Sequence, residues 1–295
     1  MTFAGYEIEA LIGRGGMAEV FLARIAQGPR AGRPVALKRL LPALASDPAH
    51  AALLVAEAGL AARLRHPAIV EVVASGVADG VPFIAMEYVD GRDLARVLAA
   101  CATRGIRIPV PFALHVAHEV ALALAHAHRA TDDAGRPLGI VHCDVSPSNV
   151  FLSRAGEVKL GDFGVARAAG SRERASFGKV RYLAPEQLRG AAVGPRTDVF
   201  ALGATLYEFL TGRAAFPGSD PDEVARRILA GPRRLPSADR PDVPPEVDAA
   251  VLRALDPTDR FDGAAALAAA IEPLYDPAVG NPMAVAALVR GLFGA

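Results

Sequence analysis

The sequence predicts an α+β fold in two lobes, a small antiparallel sheet carrying one helix followed by a larger, mainly helical lobe. Apolar residues recur at every second position over much of residues 6–40, the period of strands. The spacing turns helical once within residues 47–65 and then dominates after residue 91. Between these regions an Asp79-Gly80 pair separates two short apolar runs. With 295 residues, 52% of them hydrophobic, the chain can bury one large core or two smaller ones.

The elements follow in order. Tyr6, Ile8, Ala10 and Ile12, then Val20 and Leu22, mark half-buried strands. Leu53, Leu54, Leu60 and Leu64 give residues 47–65 a helical face, which Pro67 ends. Runs 69–77 and 81–88 flank Asp79-Gly80 as a hairpin, because both turn residues tolerate positive φ. Helices are expected over 94–103, 111–129, 197–211, 221–230 and 245–255. Pieces 150–152 and 158–160 flank Ala155-Gly156 and predict a small hairpin inside the helical lobe. Segments 27–33 and 235–245 read as surface loops. The expected division is 1–88, 89–276 and a helical extension 277–295, in which residues 281–293 form one more helix.

Composition excludes several classes. Thirty-two basic and 32 acidic side chains balance, so no bulk field favours nucleic acid or an anionic membrane surface, and no nucleic-acid partner is expected. Two cysteines, Cys101 and Cys143, suit a reducing compartment rather than a disulfide framework or zinc site. His115, His118 and Glu119 interrupt the most apolar region, so no membrane span is expected. The first residues lack the pattern of an export signal, and the expected location is cytoplasmic. No internal repeat is present.

The chemistry starts at residues 13–20, Gly-Arg-Gly-Gly-Met-Ala-Glu-Val, between two predicted strands. Glycines there let backbone approach phosphates, although a plain glycine-rich turn has the same composition. Lys38, in Val35-Ala36-Leu37-Lys38, follows on a strand, and Glu57 sits in the next helix. A lysine steadied by a glutamate holds phosphate oxygens; each alone also reads as a surface charge. Next comes His142-Cys143-Asp144-Val145-Ser146-Pro147-Ser148-Asn149, with Asp162-Phe163-Gly164 starting 18 positions after Asp144. Either aspartate alone could be a turn or cap residue, but that leaves their joint order and spacing unexplained.

Together with Ala184-Pro185-Glu186, this order resembles the signature set of protein kinases, and it does so from Tyr6 to about Leu274. Gly15-Gly16-Met17-Ala18-Glu19-Val20, His66-Pro67 and residues 182–187 resemble the bacterial, eukaryotic-like (Hanks-type) serine/threonine branch. The resemblance implies the two-lobed protein kinase fold, ATP and Mg2+ as cofactors, and a protein substrate with a serine or threonine acceptor. Asp144 would orient the acceptor hydroxyl and take its proton, while Asn149 and Asp162 would hold Mg2+. Lys38 would contact the α/β-phosphates and pair with Glu57. Ile12, Gly13, Gly15, Val20, Ala36 and Phe151 would enclose the nucleotide. Glu87 and Val89 would meet adenine through backbone, and Asp93 the ribose; ordinary core packing accounts equally for the apolar members. Glu186 and Arg260 would form a buried ion pair bracing the substrate-binding segment, which a small-molecule phosphotransferase of the same superfamily is not expected to carry. Asp198 would anchor the loop around Asp144, although a helix cap is the simpler reading.

Three residues depart from the pattern. Ala18 replaces the third glycine of the loop, a mild change. Cys143 stands where many members carry an arginine that receives a phosphorylated activation loop, so activity is expected without phosphorylation of Ser171 or Ser176. Ser146 stands where a lysine normally accompanies the catalytic aspartate. Lys179, in a position usually held by threonine, is expected to reach back to Asp144 and supply that charge; a solvated surface lysine is the plain alternative. A nucleotide-binding pseudokinase acting as a scaffold is the second functional reading.

Overall fold

The structure is a computed structural model describing residues 1–41, 44, 48–163, 177–231 and 234–294. Two compact units divide it, Met1–Val89 and Asp90–Ala295.

The first unit is a six-stranded sheet with one helix. Its elements are β1 (Thr2–Phe3), β2 (Tyr6–Arg14), β3 (Ala18–Ile25), β4 (Pro34–Leu40), α1 (Pro48–Ala61), β5 (Val72–Ala78) and β6 (Val81–Glu87). Every neighbouring pair in the order β1-β2-β3-β4-β6-β5 is antiparallel. Asp79 and Gly80 close the β5–β6 hairpin with φ of 51° and 74°, the two positive angles of a type I′ turn. Alternation along β4 sends Val35 and Leu37 into a core with Phe3, Tyr6, Ala23 and Ala85. Leu40 and Ile84 instead pack on Leu54 and Ala58 of α1. Burying each large side chain contributes about 1.5–3 kcal/mol, which two such clusters set against the entropy of ordering the sheet.

Local packing displaces several expected boundaries. Register shifts between Ile8 and Ala10 and between Leu11 and Gly13 bulge β2, so its alternation does not persist. The helix expected over 47–65 ends at Ala61, and Leu64, 2% exposed, is buried from the turn that follows. The strand expected from residue 69 begins at Val72. A turn at His66, whose carbonyl accepts from the Ile69 amide at 3.0 Å, occupies the preceding residues.

In the second unit β7 (Gly91–Asp93), β8 (Val150–Ser153) and β9 (Val158–Leu160) form a small sheet. The helices used below are α2 (Leu94–Arg104), α3 (Val110–His128), α4 (Pro195–Thr211), α5 (Pro221–Ala230), α6 (Pro245–Leu255), α7 (Ala264–Ile271) and α8 (Pro282–Phe293). α3 packs on α4 and α7, and α4 on α6, around the fully buried Tyr207, Phe200, Leu114 and Leu124. β7 falls just before the helix expected from residue 94, where no strand was expected. Gly91 lets it approach β8, since a Cβ there would lie 2.0 Å from the Leu152 carbonyl oxygen.

The compositional ground for one exclusion needs correcting. By length and composition α3 is long and apolar enough to cross a membrane, because two histidines and one glutamate only weakly interrupt it. In the structure it is the central buried helix of the second unit, with His115 and His118 both 5.9 Å from the Tyr275 ring. α8 lies against β8 and α2. There Arg104 donates to the Gly291 and Leu292 carbonyls at 3.0 and 2.6 Å, and Arg92 lies over Phe293.

Candidate active site

The site in the second unit is built outward from Asp198 at the start of α4, which is fully buried. Its carboxylate accepts the His142 and Cys143 backbone amides at 2.8 Å each and lies 2.8 Å from His128 Nε2. Three partners offset the cost of burying this charge. They also hold Cys143 at φ 63°, a left-handed conformation costing a non-glycine residue about 1–2 kcal/mol. Gln187 completes the clamp, its Nε2 donating to the Cys143 carbonyl at 2.9 Å.

His142 joins the loop to the Asp162 segment. Its Nδ1 accepts the Asp144 amide at 3.2 Å, which leaves Nε2 as the protonated nitrogen donating to the Gly161 carbonyl at 3.0 Å. The same ring lies 4.6 Å from Phe163. The Gly161 amide returns a bond to the Asn149 carbonyl at 2.9 Å. Asp162 therefore sits between two anchored neighbours, with φ 54°.

Asp144 lies between two donors. Asn149 Nδ2 donates to its carbonyl at 2.8 Å and to its carboxylate Oδ2 at 3.1 Å. The Lys179 amine, on the helical turn Phe177–Val180, donates to that same Oδ2. Their side chains are 14% and 32% exposed, so the pair is partly screened by water. Ser146, 2% exposed, brings no charge, its Oγ lying 3.0 Å from Ser148 Oγ.

The segment carrying Lys179 is anchored further along. Tyr182 donates its hydroxyl to Glu208 of α4, and burial together with that carboxylate pushes the phenol pKa above its usual range. Glu186 accepts from Arg260 Nη1 at 2.9 Å and from Thr197 Oγ1 at 2.8 Å. Arg260, whose side chain is 2% exposed, also donates to the Arg196 carbonyl at 2.9 Å and lies over Phe200.

The donor set suits Mg2+. With the Asn149 amide nitrogen engaged on Asp144, its Oδ1 can serve as an oxygen donor, and Asp162 brings a carboxylate. Two oxygen ligands are what Mg2+ takes from protein when phosphates and water supply the rest. Among the described residues no group of three His, Cys, Asp or Glu forms a metal cage.

In the first unit Ile12 and Gly13 lie near the end of β2, Gly13 pairs with Val20 on β3, and the Gly15 amide donates to the Ala18 carbonyl at 2.9 Å. Val20 pairs in turn with Lys38 on β4. Ala36, Lys38 and Leu40 share one strand face, the face on which Leu40 meets α1. Glu57 is a residue of α1, and its side chain lies outside the described residues. Glu87 ends β6, its amide donating to the Glu71 carbonyl at 2.8 Å, and Val89 ends the unit. In the second unit Asp93 caps α2, accepting the Arg96 amide at 2.9 Å, and pairs across β7–β8 with Phe151. Gly164, Ser171 and Ser176 lie outside the described residues.

Sequence reading did not find Gln187 or His128. Gln187 acts on the loop directly and His128 through Asp198, each from a distant position, and neither residue type announces such a bond.

The chain is similar to known proteins over most of its length. Residues 6–256 match the protein kinase domain family. The tyrosine-protein kinase MasK of Myxococcus xanthus is 38% identical over 300 residues, covering 99% of this chain and 46% of that protein. The probable serine/threonine-protein kinase SCO3848 of Streptomyces coelicolor is 40% identical, covering 98% and 43%. Serine/threonine-protein kinase PknB of Mycobacterium tuberculosis is 39% identical, covering 90% and 42%. The chain thus spans less than half the length of these relatives. The crystal structure of the Mycobacterium tuberculosis PknI kinase domain superposes with a TM-score of 0.70 at 35% identity, covering 92% of this chain and 97% of that one.

Proposed function

This chain belongs to the protein kinase domain family, and from that premise we propose that it transfers the γ-phosphoryl group of ATP to serine or threonine hydroxyls of a protein substrate. The observation that carries the reading is the Asp144 carboxylate, held by Asn149 and Lys179 on a loop fixed from beneath by Asp198. Two of the three relatives described above are named serine/threonine kinases and the other a tyrosine kinase. The resemblance of residues 15–20 and 182–187 to the serine/threonine branch favours the former.

Asp144 orients the acceptor hydroxyl and accepts its proton as the oxygen attacks. Lys179, sharing Asp144 Oδ2 with Asn149, provides the positive charge that Ser146 lacks. Asn149 Oδ1 and the Asp162 carboxylate are the residues that would hold Mg2+, which when bound neutralises charge on the phosphates. In the first unit Lys38, the glycine loop and the backbone of Glu87 and Val89 would hold the nucleotide.

Activity is not expected to need an activation-loop phosphate. Cys143 carries no charge to receive one, and its carbonyl is held by Gln187 instead. A nucleotide-binding scaffold is the second reading, favoured by the buried, neutral Ser146.

Radiolabelled ATP with Mg2+ and matched serine, threonine and tyrosine peptides tests the reading. Incorporation into serine or threonine peptides that is lost in both Asp144→Asn and Asp162→Ala supports it. Equal background in all three proteins favours the scaffold. Loss of activity after phosphatase treatment, reproduced by Ser171→Ala or Ser176→Ala, would remove the claim of phosphate independence.

A further inference from the structure

Beside the Lys179 segment the second unit holds a cavity of about 970 Å3 with no part in phosphoryl transfer as described above. Its walls include five arginines, Arg181, Arg213, Arg226, Arg227 and Arg234. Among the described residues only two carboxylates, Glu223 and Asp239, line it with them, in a protein whose overall charge balances. The arginines already hold those two. Asp239 accepts from Arg213 Nη1 at 3.0 Å, Arg234 Nη2 at 2.6 Å and Tyr207 hydroxyl at 2.7 Å. Glu223 accepts from Arg227 Nη2 at 2.8 Å and from the Ser219 amide at 2.8 Å. Both acids are held below their ordinary pKa, Glu223 at about 2, chiefly by the Ser219 amide and then by Arg227. Both remain ionised at neutral pH, and even without Arg181 two positive charges are left in surplus among the described residues.

Each guanidinium has five donors, and these bonds use few of them. Arg226 makes no ion pair or side-chain hydrogen bond among the described residues. Arg213, Arg227 and Arg234 have side chains 70%, 51% and 57% exposed, open to a ligand from solvent. Phe216 and Pro217 add an apolar wall. Position is the second consideration. Arg181 lies two residues beyond Lys179, whose amine is on Asp144, so at most ~7 Å separates the Cα atoms of the residue on the catalytic aspartate and the first residue of the arginine wall.

We propose that this cavity binds a run of aspartate or glutamate side chains in the protein substrate, a few residues from the acceptor hydroxyl. The proposal rests on the kinase reading for the word substrate, but the binding does not. Carboxylate is the committed chemistry because the same arginines hold two carboxylates of their own, and because the surplus charge is spread around a wide pocket rather than gathered on one dianion.

The test measures binding and turnover separately. A fluorescent peptide with one serine flanked by glutamates is compared, by anisotropy and by phosphorylation, with versions carrying alanine, lysine or a single phosphoserine instead. The glutamate peptide is expected to bind, and to be phosphorylated at a KM, roughly tenfold better than the alanine peptide. The advantage should shrink at high salt, as exposed pairs do. Arg226→Glu and the double variant with Arg227→Glu should abolish it while leaving phosphorylation of the alanine peptide unchanged. Unchanged turnover of the alanine peptide also shows that these variants fold. Binding without phosphorylation keeps the pocket and removes the kinase reading. Phosphorylation with no preference for glutamate, or a preference for phosphoserine alone, overturns the pocket and leaves the kinase intact.

Discussion

Glu186 and Arg260, 74 positions apart, meet as an ion pair at 2.9 Å, the arginine buried and the glutamate partly so, beneath the segment that carries Lys179. Arg260 also donates to the backbone at Asp256 and Arg196, so removing Glu186 strands a buried charge, whereas removing Arg260 leaves a carboxylate that Thr197 and water still reach. Arg260→Met is expected to cost about 2 kcal/mol of unfolding free energy, less than breaking a fully buried pair because the remaining carboxylate is partly exposed. Adding Glu186→Gln should recover part of that loss. Urea melts of the two single variants and the double variant measure it, and additive losses would deny the coupling.

A second expectation concerns acid. His115 is buried against Tyr275 with His118 and Glu119 beside it; burial lowers its pKa below the ordinary 6.5, and Glu119 only partly opposes this. The unfolded chain therefore takes up this proton before the folded one. Its contribution to stability is complete above about pH 6.5 and is lost as pH falls through the lower folded value. Replacing His115 with Phe should flatten that part of the stability profile. An unchanged slope in the variant would assign the acid sensitivity elsewhere.

The C-terminal helix should prove integral to the second unit. Gly156 has φ 96°, and a Cβ there would lie 2.1 Å from the Pro282 carbonyl oxygen. Gly156→Ala is expected to destabilise by about 1–3 kcal/mol, from backbone strain and from pushing α8 off β8. Protease cleavage after Arg290, whose Nε donates to the Arg154 carbonyl at 2.9 Å, reports that loosening directly. Equal cleavage rates in both proteins would show that α8 adapts without cost.

Local chemistry was the most readable part of the chain. Asp79-Gly80 announced its turn because only residues tolerant of positive φ fit it. Residues 142–149 and Asp162 were readable because several polar residue types recur there in fixed order. What depended on distant partners was not. β7 has three residues and exists only because β8 lies beside it, so no periodicity marks it. α1 stops at Ala61 although its apolar spacing runs on to Leu64, because a buried turn satisfies the same spacing. The Glu186–Arg260 pair was expected through family resemblance alone. The arginine cavity gathers residues from four separate segments, none of which is conspicuous by itself.

The claim most open to attack is that the Lys179 amine on Asp144 assists transfer rather than obstructs it. Single-turnover phosphorylation by Lys179→Met and Lys179→Arg, at saturating ATP and peptide, separates the two. If the lysine supplies the missing charge, the Met variant should lose about 10²-fold in the transfer rate with its melting temperature little changed, and the Arg variant should keep most of it. A Met variant as fast as the unmodified protein, or faster, would show that Lys179 plugs the catalytic aspartate and would contradict the account.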